Sequence, residues 1–232
     1  MPYYYGLDWT YILVLAGAVL SMIASSNVKT TYAKYGQIRS HSGMTATAAA
    51  RRILDNAGLS HVRIERIAGD LTDHYSPKEL VLRLSDTTIN STSIAAIGVA
   101  AHECGHAIQH DKKYAPLTFR NTIVPVVNLG SKLSWPMIML GLILGFAGLL
   151  DLGIILFSFS LFFQLLTLPV EFNASSRALQ ILEQSNMLYD EELRGAKKVL
   201  SAAAMTYVAA AVATLLSLLR LIILFGGRRR ND

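Results

Sequence analysis

Four long apolar stretches constrain this chain more than any other feature. A bilayer core of about 30 Å needs roughly 20 mostly apolar residues in a helix. Residues 9–24, 133–150, 152–170 and 202–225 meet or approach that length. The first ends in Ser25-Ser26-Asn27 and is followed by Lys29 and Lys34. It has no preceding Lys or Arg, so it reads as a retained anchor rather than a secretory signal. Asp151 is the only charge between Lys132 and Glu171, which predicts a tight turn there between the second and third spans. Arg220 interrupts the fourth stretch near its end, where a long side chain can snorkel.

Composition agrees with that reading. Only 16% of residues are charged and 52% are hydrophobic, whereas soluble domains carry about 25% charged residues. The formal charge of +5 then fits membrane orientation better than nucleic-acid binding, and no nucleic-acid partner is expected. Cys104 is the single cysteine, so no internal disulfide can form.

Basic residues orient the spans. Lys29, Lys34, Arg39, Lys112, Lys113, Arg120, Lys132, Arg177, Arg194, Lys197 and Lys198 all fall on one side of a four-span arrangement, which the positive-inside rule makes cytoplasmic. The basic tail Arg228–Arg230 falls on the other side and is the discordant element. The resulting division is an N-terminal anchor (1–26), a cytoplasmic lobe (27–132), a two-span hairpin (133–170), a segment 171–201, and a C-terminal membrane segment with its tail (202–232).

The lobe reads as α+β. Thr45–Asn56 has apolar residues at helical spacing and stops at Gly58. Val62, Ile64 and Ile67 suggest a strand, and Gly69–Pro77 supplies turn chemistry. Leu80, Leu82 and Leu84 alternate as a second strand, a plausible edge for an extended ligand. Asn90, Ser91 or Ser93 can cap a helix running to about His110.

That helix contains His102-Glu103-Cys104-Gly105-His106. Two histidines four apart share one helix face, so both imidazoles can reach one tetrahedral metal. The intervening Glu103 lies about 100° from the first and about 60° from the second, beside the metal's open position. There it can take a proton from a water whose pKa a zinc ion lowers to about 7. His110 continues the same face but lies about 12 Å along the helix from His102, too far to share the ion. Cys104 projects about 200° from His102, away from the metal.

Zinc needs a third protein ligand, and Glu171 is the best placed. It follows the third span in Leu168-Pro169-Val170-Glu171, where Pro169 suits the first turn of a new helix. Ala174, Ser175 and Ala178 form a small-residue stripe on its face, permitting the close helix approach that a shared metal requires. His74, a turn residue in Leu71-Thr72-Asp73-His74-Tyr75, is a candidate catalytic group that could donate to a developing oxyanion; Arg177 and Tyr207 are weaker candidates.

The stretches GDLTDHYSP at 69–77, SIAAIGVAAHECGHAIQH at 93–110, YAPLTFR at 114–120, TLPVEFNASSRAL at 167–179 and VLSAAAMTYVAAA at 199–211 closely resemble the YugP-like neutral zinc metallopeptidases of bacterial membranes. The resemblance covers nearly the whole chain. It implies a membrane gluzincin, broadly similar to the HtpX type, with a small zincin-like α+β lobe and about four membrane segments around an HExxH active-site helix. By position, His102, His106 and Glu171 would bind one catalytic Zn²⁺ and Glu103 would be the base. Asn173 stands where the family usually has Asp, and Cys104 replaces a common apolar residue.

The expectation is a zinc endopeptidase of the bacterial inner membrane, its site facing the cytoplasm and its substrates membrane or membrane-proximal proteins. A non-proteolytic membrane zinc-binding scaffold is the alternative; it would need the ligands but not Glu103. A transporter is disfavoured because the candidate ligands lie outside the spans.

Overall fold

The computed structural model describes residues 8–226, so the tail Arg228–Arg230 lies outside the described residues. The elements run α1 (Tyr11–Gly36), α2 (Ala46–Asn56), β1 (Arg63–Ile67), β2 (His74–Ser76), β3 (Val81–Ser85), α3 (Ile94–Asp111), α4 (Ala115–Leu144), α5 (Ala147–Gln184) and α6 (Asp190–Phe225). The chain is mostly helical, with a small mixed sheet. Helices α1, α4, α5 and α6 are long and apolar enough to cross a membrane.

Two compact units arise from this order. One comprises residues up to Ala24, Phe119–Thr167 and those from Thr206 onward; the other comprises Ser25–Thr118 and Leu168–Met205. Each of α1, α4, α5 and α6 contributes to both units, α4 giving only its first turn to the second.

In the first unit, α4 and α5 form a helical hairpin. Gly153 packs against Ile138, and Gly141 against Leu150, so closely that a Cβ on either glycine would fall under 3 Å from its neighbour. Ser131 and Ser160 hydroxyls meet at 2.7 Å. The reversal is not at Asp151, which lies inside α5, but at Gly145–Phe146. Gly145 has φ +64°, a left-handed conformation that glycine adopts without a Cβ penalty. Phe146 N–H then bonds the Gly141 carbonyl at 3.0 Å. Arg220 has specific partners: its guanidinium meets Asp8 at 3.3 Å and lies 4.0 Å over the Tyr11 ring.

The second unit has a core built around α3. Ile53 and Leu54 of α2, Leu82 and Leu84 of β3, Ile97 of α3, and Leu182 of α5 pack in one cluster with Met187 and Leu188. Each such side chain contributes about 1.5–3 kcal/mol when fully buried. Thr45 caps α2 by accepting the Ala48 N–H at 3.2 Å, and Ser93, the last of the three candidate caps, accepts the Ala96 N–H at 3.2 Å to start α3.

The sheet order is β1-β3-β2, with β1 parallel and β2 antiparallel to β3. The expected edge is therefore corrected: β3 is central, paired on both sides, and β1 and β2 are the edges. Leu80 precedes β3 and is exposed at φ +53°, while Val81, Leu82 and Leu84 are buried. His74 likewise opens strand β2 rather than lying in a turn.

Two helices run on where the sequence suggested an end or a start. Helix α1 continues through Ser25-Ser26-Asn27 to Gly36: these polar residues end the apolar stretch without breaking the helix. Pro169 sits inside α5 and does not open a new helix. An internal proline costs about 3 kcal/mol, but backbone left unpaired beside an apolar span costs more.

Candidate metal centre

Helix α3 brings His102, Glu103 and His106 into the heart of the second unit, and α5 lies across it. Their close approach depends on Gly105. A Cβ there would sit 2.7 Å from the Ala174 carbonyl oxygen. Ala174 and Ala178 are completely buried, so the small-residue stripe lies in this packed region.

Glu171, one turn before Ala174, faces both histidines. Its Oε2 lies 3.3 Å from His102 Nε2 and 3.6 Å from His106 Nε2. One ligand atom from each of the three residues falls within 4.8 Å of the others. The two imidazoles pack edge to face, with centroids 4.7 Å apart.

The far nitrogens of both rings are also held. Ser175 Oγ is 3.1 Å from His102 Nδ1, and Gln109 Oε1 is 3.0 Å from His106 Nδ1. Gln109 fixes the tautomer of its partner. Its Nε2 donates to the Val170 carbonyl and to Asn173 Oδ1, both at 2.9 Å, so its Oε1 must accept from His106. His106 therefore donates from Nδ1, which leaves Nε2 as the nitrogen that would face a metal beside Glu171. Asn173 Oδ1 also accepts from Arg177 Nε at 2.8 Å. The Asn173 amide oxygen thus acts through Gln109 and takes two donors at once.

These contacts fit a divalent cation of the zinc type. Two imidazole nitrogens and one carboxylate converge, and outer partners hold the rings as metal sites require. Burial disfavours a protonated His106, yet the Glu171 and Glu103 carboxylates and the Gln109 bond outweigh it, raising its pKa above the ordinary value.

Glu103 is nearly buried, and the Tyr75 backbone N–H donates to its Oε2 at 3.0 Å. Burial raises its pKa, partly opposed by His106 and His102. Tyr75 is set by its neighbour Asp73, whose carboxylate accepts the Ser85 N–H and hydroxyl, both at 2.8 Å, pinning β2 to β3. The Tyr75 hydroxyl bonds His110 Nδ1 at 3.0 Å, so His110 contacts strand β2 and is not one of the three converging ligands. Burial raises the Tyr75 phenol pKa, with the Asp111 charge adding to the effect.

His74 is not among the three converging groups either: its Nδ1 is engaged by the Thr72 carbonyl at 2.9 Å. Arg177 is turned to Asn173, and Tyr207 lies along α6. Cys104 is fully buried on the α2 side, its Sγ 3.6 Å from the Ala50 carbonyl, and burial raises its thiol pKa. Sequence reasoning missed Tyr75 and Gln109. Gln109 had a signal, since it stands three residues after His106 on one face. The Tyr75 contact uses a backbone group and had none.

The family described as "Putative neutral zinc metallopeptidase" matches residues 10–226. This chain belongs to that family. Its relatives include "Putative membrane protease YugP" of Bacillus subtilis (strain 168), 49% identical over 220 residues, which cover 94% of this chain and 98% of the relative. No solved structure matches the chain. The chain is thus a member of a zinc-metallopeptidase family with a three-residue cluster that could hold a metal ion and four helices long and apolar enough to cross a membrane.

Proposed function

We propose that the chain is a membrane-bound zinc endopeptidase of the gluzincin type, in which His102, His106 and Glu171 hold one Zn²⁺ and Glu103 is the general base. The observation that carries this reading is the convergence of the three ligand atoms beside Glu103.

When bound, zinc supplies Lewis acidity toward a water and the scissile carbonyl. Glu103 removes a proton from the attacking water and delivers it to the leaving amine. The Tyr75 N–H holds Oε2, so the proton is assigned to Oε1. Gln109 and Ser175 keep the histidine rings aimed, and Asn173 keeps Gln109 aimed. Edge strand β2, beside α3, is where an extended peptide would add by β-pairing. His74, on that strand, would meet substrate rather than metal.

The reading extends to setting. Glu171 directly follows the apolar run 152–170, so the site belongs near a bilayer surface. The basic residues of 27–132 and 171–201 favour the cytoplasmic face of a bacterial inner membrane. Substrates are then membrane proteins or membrane-proximal tails.

The test compares zinc-loaded wild type and Glu103→Gln on an unfolded protein. Cleavage by wild type alone, at equal zinc content, supports the enzyme. Equal cleavage by both contradicts Glu103 as base. Zinc binding without cleavage by wild type, on membrane-protein substrates as well, favours the scaffold.

A further inference from the structure

A second recess lies in the same unit, between the C-terminal turns of α1 and the first half of α6. Its volume is about 640 Å³. Helix α1 contributes Thr31 and Lys34, and α6 contributes Arg194, Lys197, Lys198 and Met205. The spacing on each helix places these residues on one face. Tyr35 abuts Gly195, where a Cβ would fall 2.8 Å from the Tyr35 ring, so the helices touch there and leave a cleft beside the contact.

The cleft is chemically graded. Lys34, Arg194, Lys197 and Lys198 stand in it, and among the described residues no Asp or Glu lines it. Arg194 pairs with Glu191 at 3.3 Å, with both side chains mostly exposed, so that pair is weak; Glu183 and Glu192 line the adjoining recesses that share these cations. Ala202 and Met205 mark the other end, where α6 turns into its continuous apolar run. Thr31 and Ser201 lie in the same lining, the Thr31 hydroxyl donating to Asn27 Oδ1 at 3.4 Å.

We propose that this cleft binds an anionic phospholipid, with its phosphate among Lys34, Arg194, Lys197 and Lys198 and its acyl chain leaving past Met205. Four exposed cations on one recess make it complementary to an anionic headgroup, and the apolar end is complementary to an acyl chain. Helices α1 and α6 are both long enough to cross a membrane, so such a lipid is at hand. Each Lys or Arg near an anionic surface strengthens binding about fivefold. The proposal does not depend on peptidase activity.

The full chain, delipidated in detergent, is offered equimolar phosphatidylglycerol and phosphatidylcholine, and retained lipid is counted by native mass spectrometry. Wild type is expected to prefer phosphatidylglycerol by about tenfold or more. The variant Lys34→Gln/Lys197→Gln/Lys198→Gln should bring that ratio close to one. Lys198→Gln alone should lower it about fivefold, which keeps the test valid should the triple variant not fold. Lys112→Gln/Lys113→Gln removes two exposed cations elsewhere and should leave the preference intact. A wild-type ratio near one overturns the proposal. So does equal loss in the Lys112/Lys113 variant, which would mean unspecific charge. Full displacement of the lipid by inorganic phosphate would mean a free-phosphate site and also overturns it.

Discussion

Gly105 and Ala174 meet backbone to backbone. A Cβ on Gly105 would lie 2.7 Å from the Ala174 carbonyl oxygen and 3.2 Å from its Cα. This contact sets the distance from α3 to α5, and hence the distance from the two histidines to Glu171. Because the clash is with backbone, no side-chain rotation relieves it.

Gly105→Ala therefore forces α3 and α5 apart. Overpacking of this kind costs about 1–3 kcal/mol, and a displacement of about 1 Å costs about 10²-fold in rate. The expected outcome is a lowered thermal midpoint with a larger proportional loss of zinc affinity. Thermal unfolding beside a chelator competition checks it; unchanged zinc affinity would mean that the contact does not position the site.

Gln109→Leu keeps the bulk of the side chain but removes the acceptor at His106 Nδ1 and the donor to Val170 and Asn173. Outer partners of this kind are worth about 10–100-fold in metal affinity. A loss in that range, with helix content preserved by circular dichroism, is expected. Asn173→Asp should change affinity by less than the roughly 10-fold loss of an outer partner, because either side chain offers an oxygen to Gln109 and Arg177.

Cys104 serves as a reporter of folding. It is fully buried and its thiol meets the Ala50 carbonyl at 3.6 Å. Thiol reactivity follows exposure and thiolate character, so maleimide should label the native protein slowly and the unfolded chain at once. Rapid labelling of the native protein would contradict the placement of α3 against α2.

Much of this architecture was legible in the residues. The apolar runs reveal four helices, and the His102–His106 spacing reveals a shared face. The Ala174–Ala178 stripe reveals where α5 must approach α3. Other features leave no such trace. The reversal at Gly145 is set by a left-handed backbone, whereas the charge of Asp151 marks only a polar residue inside a helix. Pro169 reads as a helix start in isolation, yet the apolar surroundings keep α5 continuous through it. The place of β3 at the sheet centre follows from pairing between distant strands, which alternation of Leu80, Leu82 and Leu84 cannot encode.

Asp73→Ala removes the acceptor for the Ser85 N–H and hydroxyl. Strand β2 should loosen, taking the Tyr75 N–H from Glu103. Leaving these buried donors unpaired costs about 1–3 kcal/mol. Cleavage should fall while zinc content stays at the wild-type level, as metal analysis beside an activity assay would record.

The central claim is that one zinc ion is held by two imidazoles from α3 and one carboxylate from α5. X-ray absorption at the zinc edge, on wild type and Glu171→Gln, tests it most directly. The account predicts one zinc per chain with two imidazole ligands and only nitrogen and oxygen donors, and weaker binding in the variant. A sulfur ligand from Cys104, or identical zinc binding in both proteins, would contradict it.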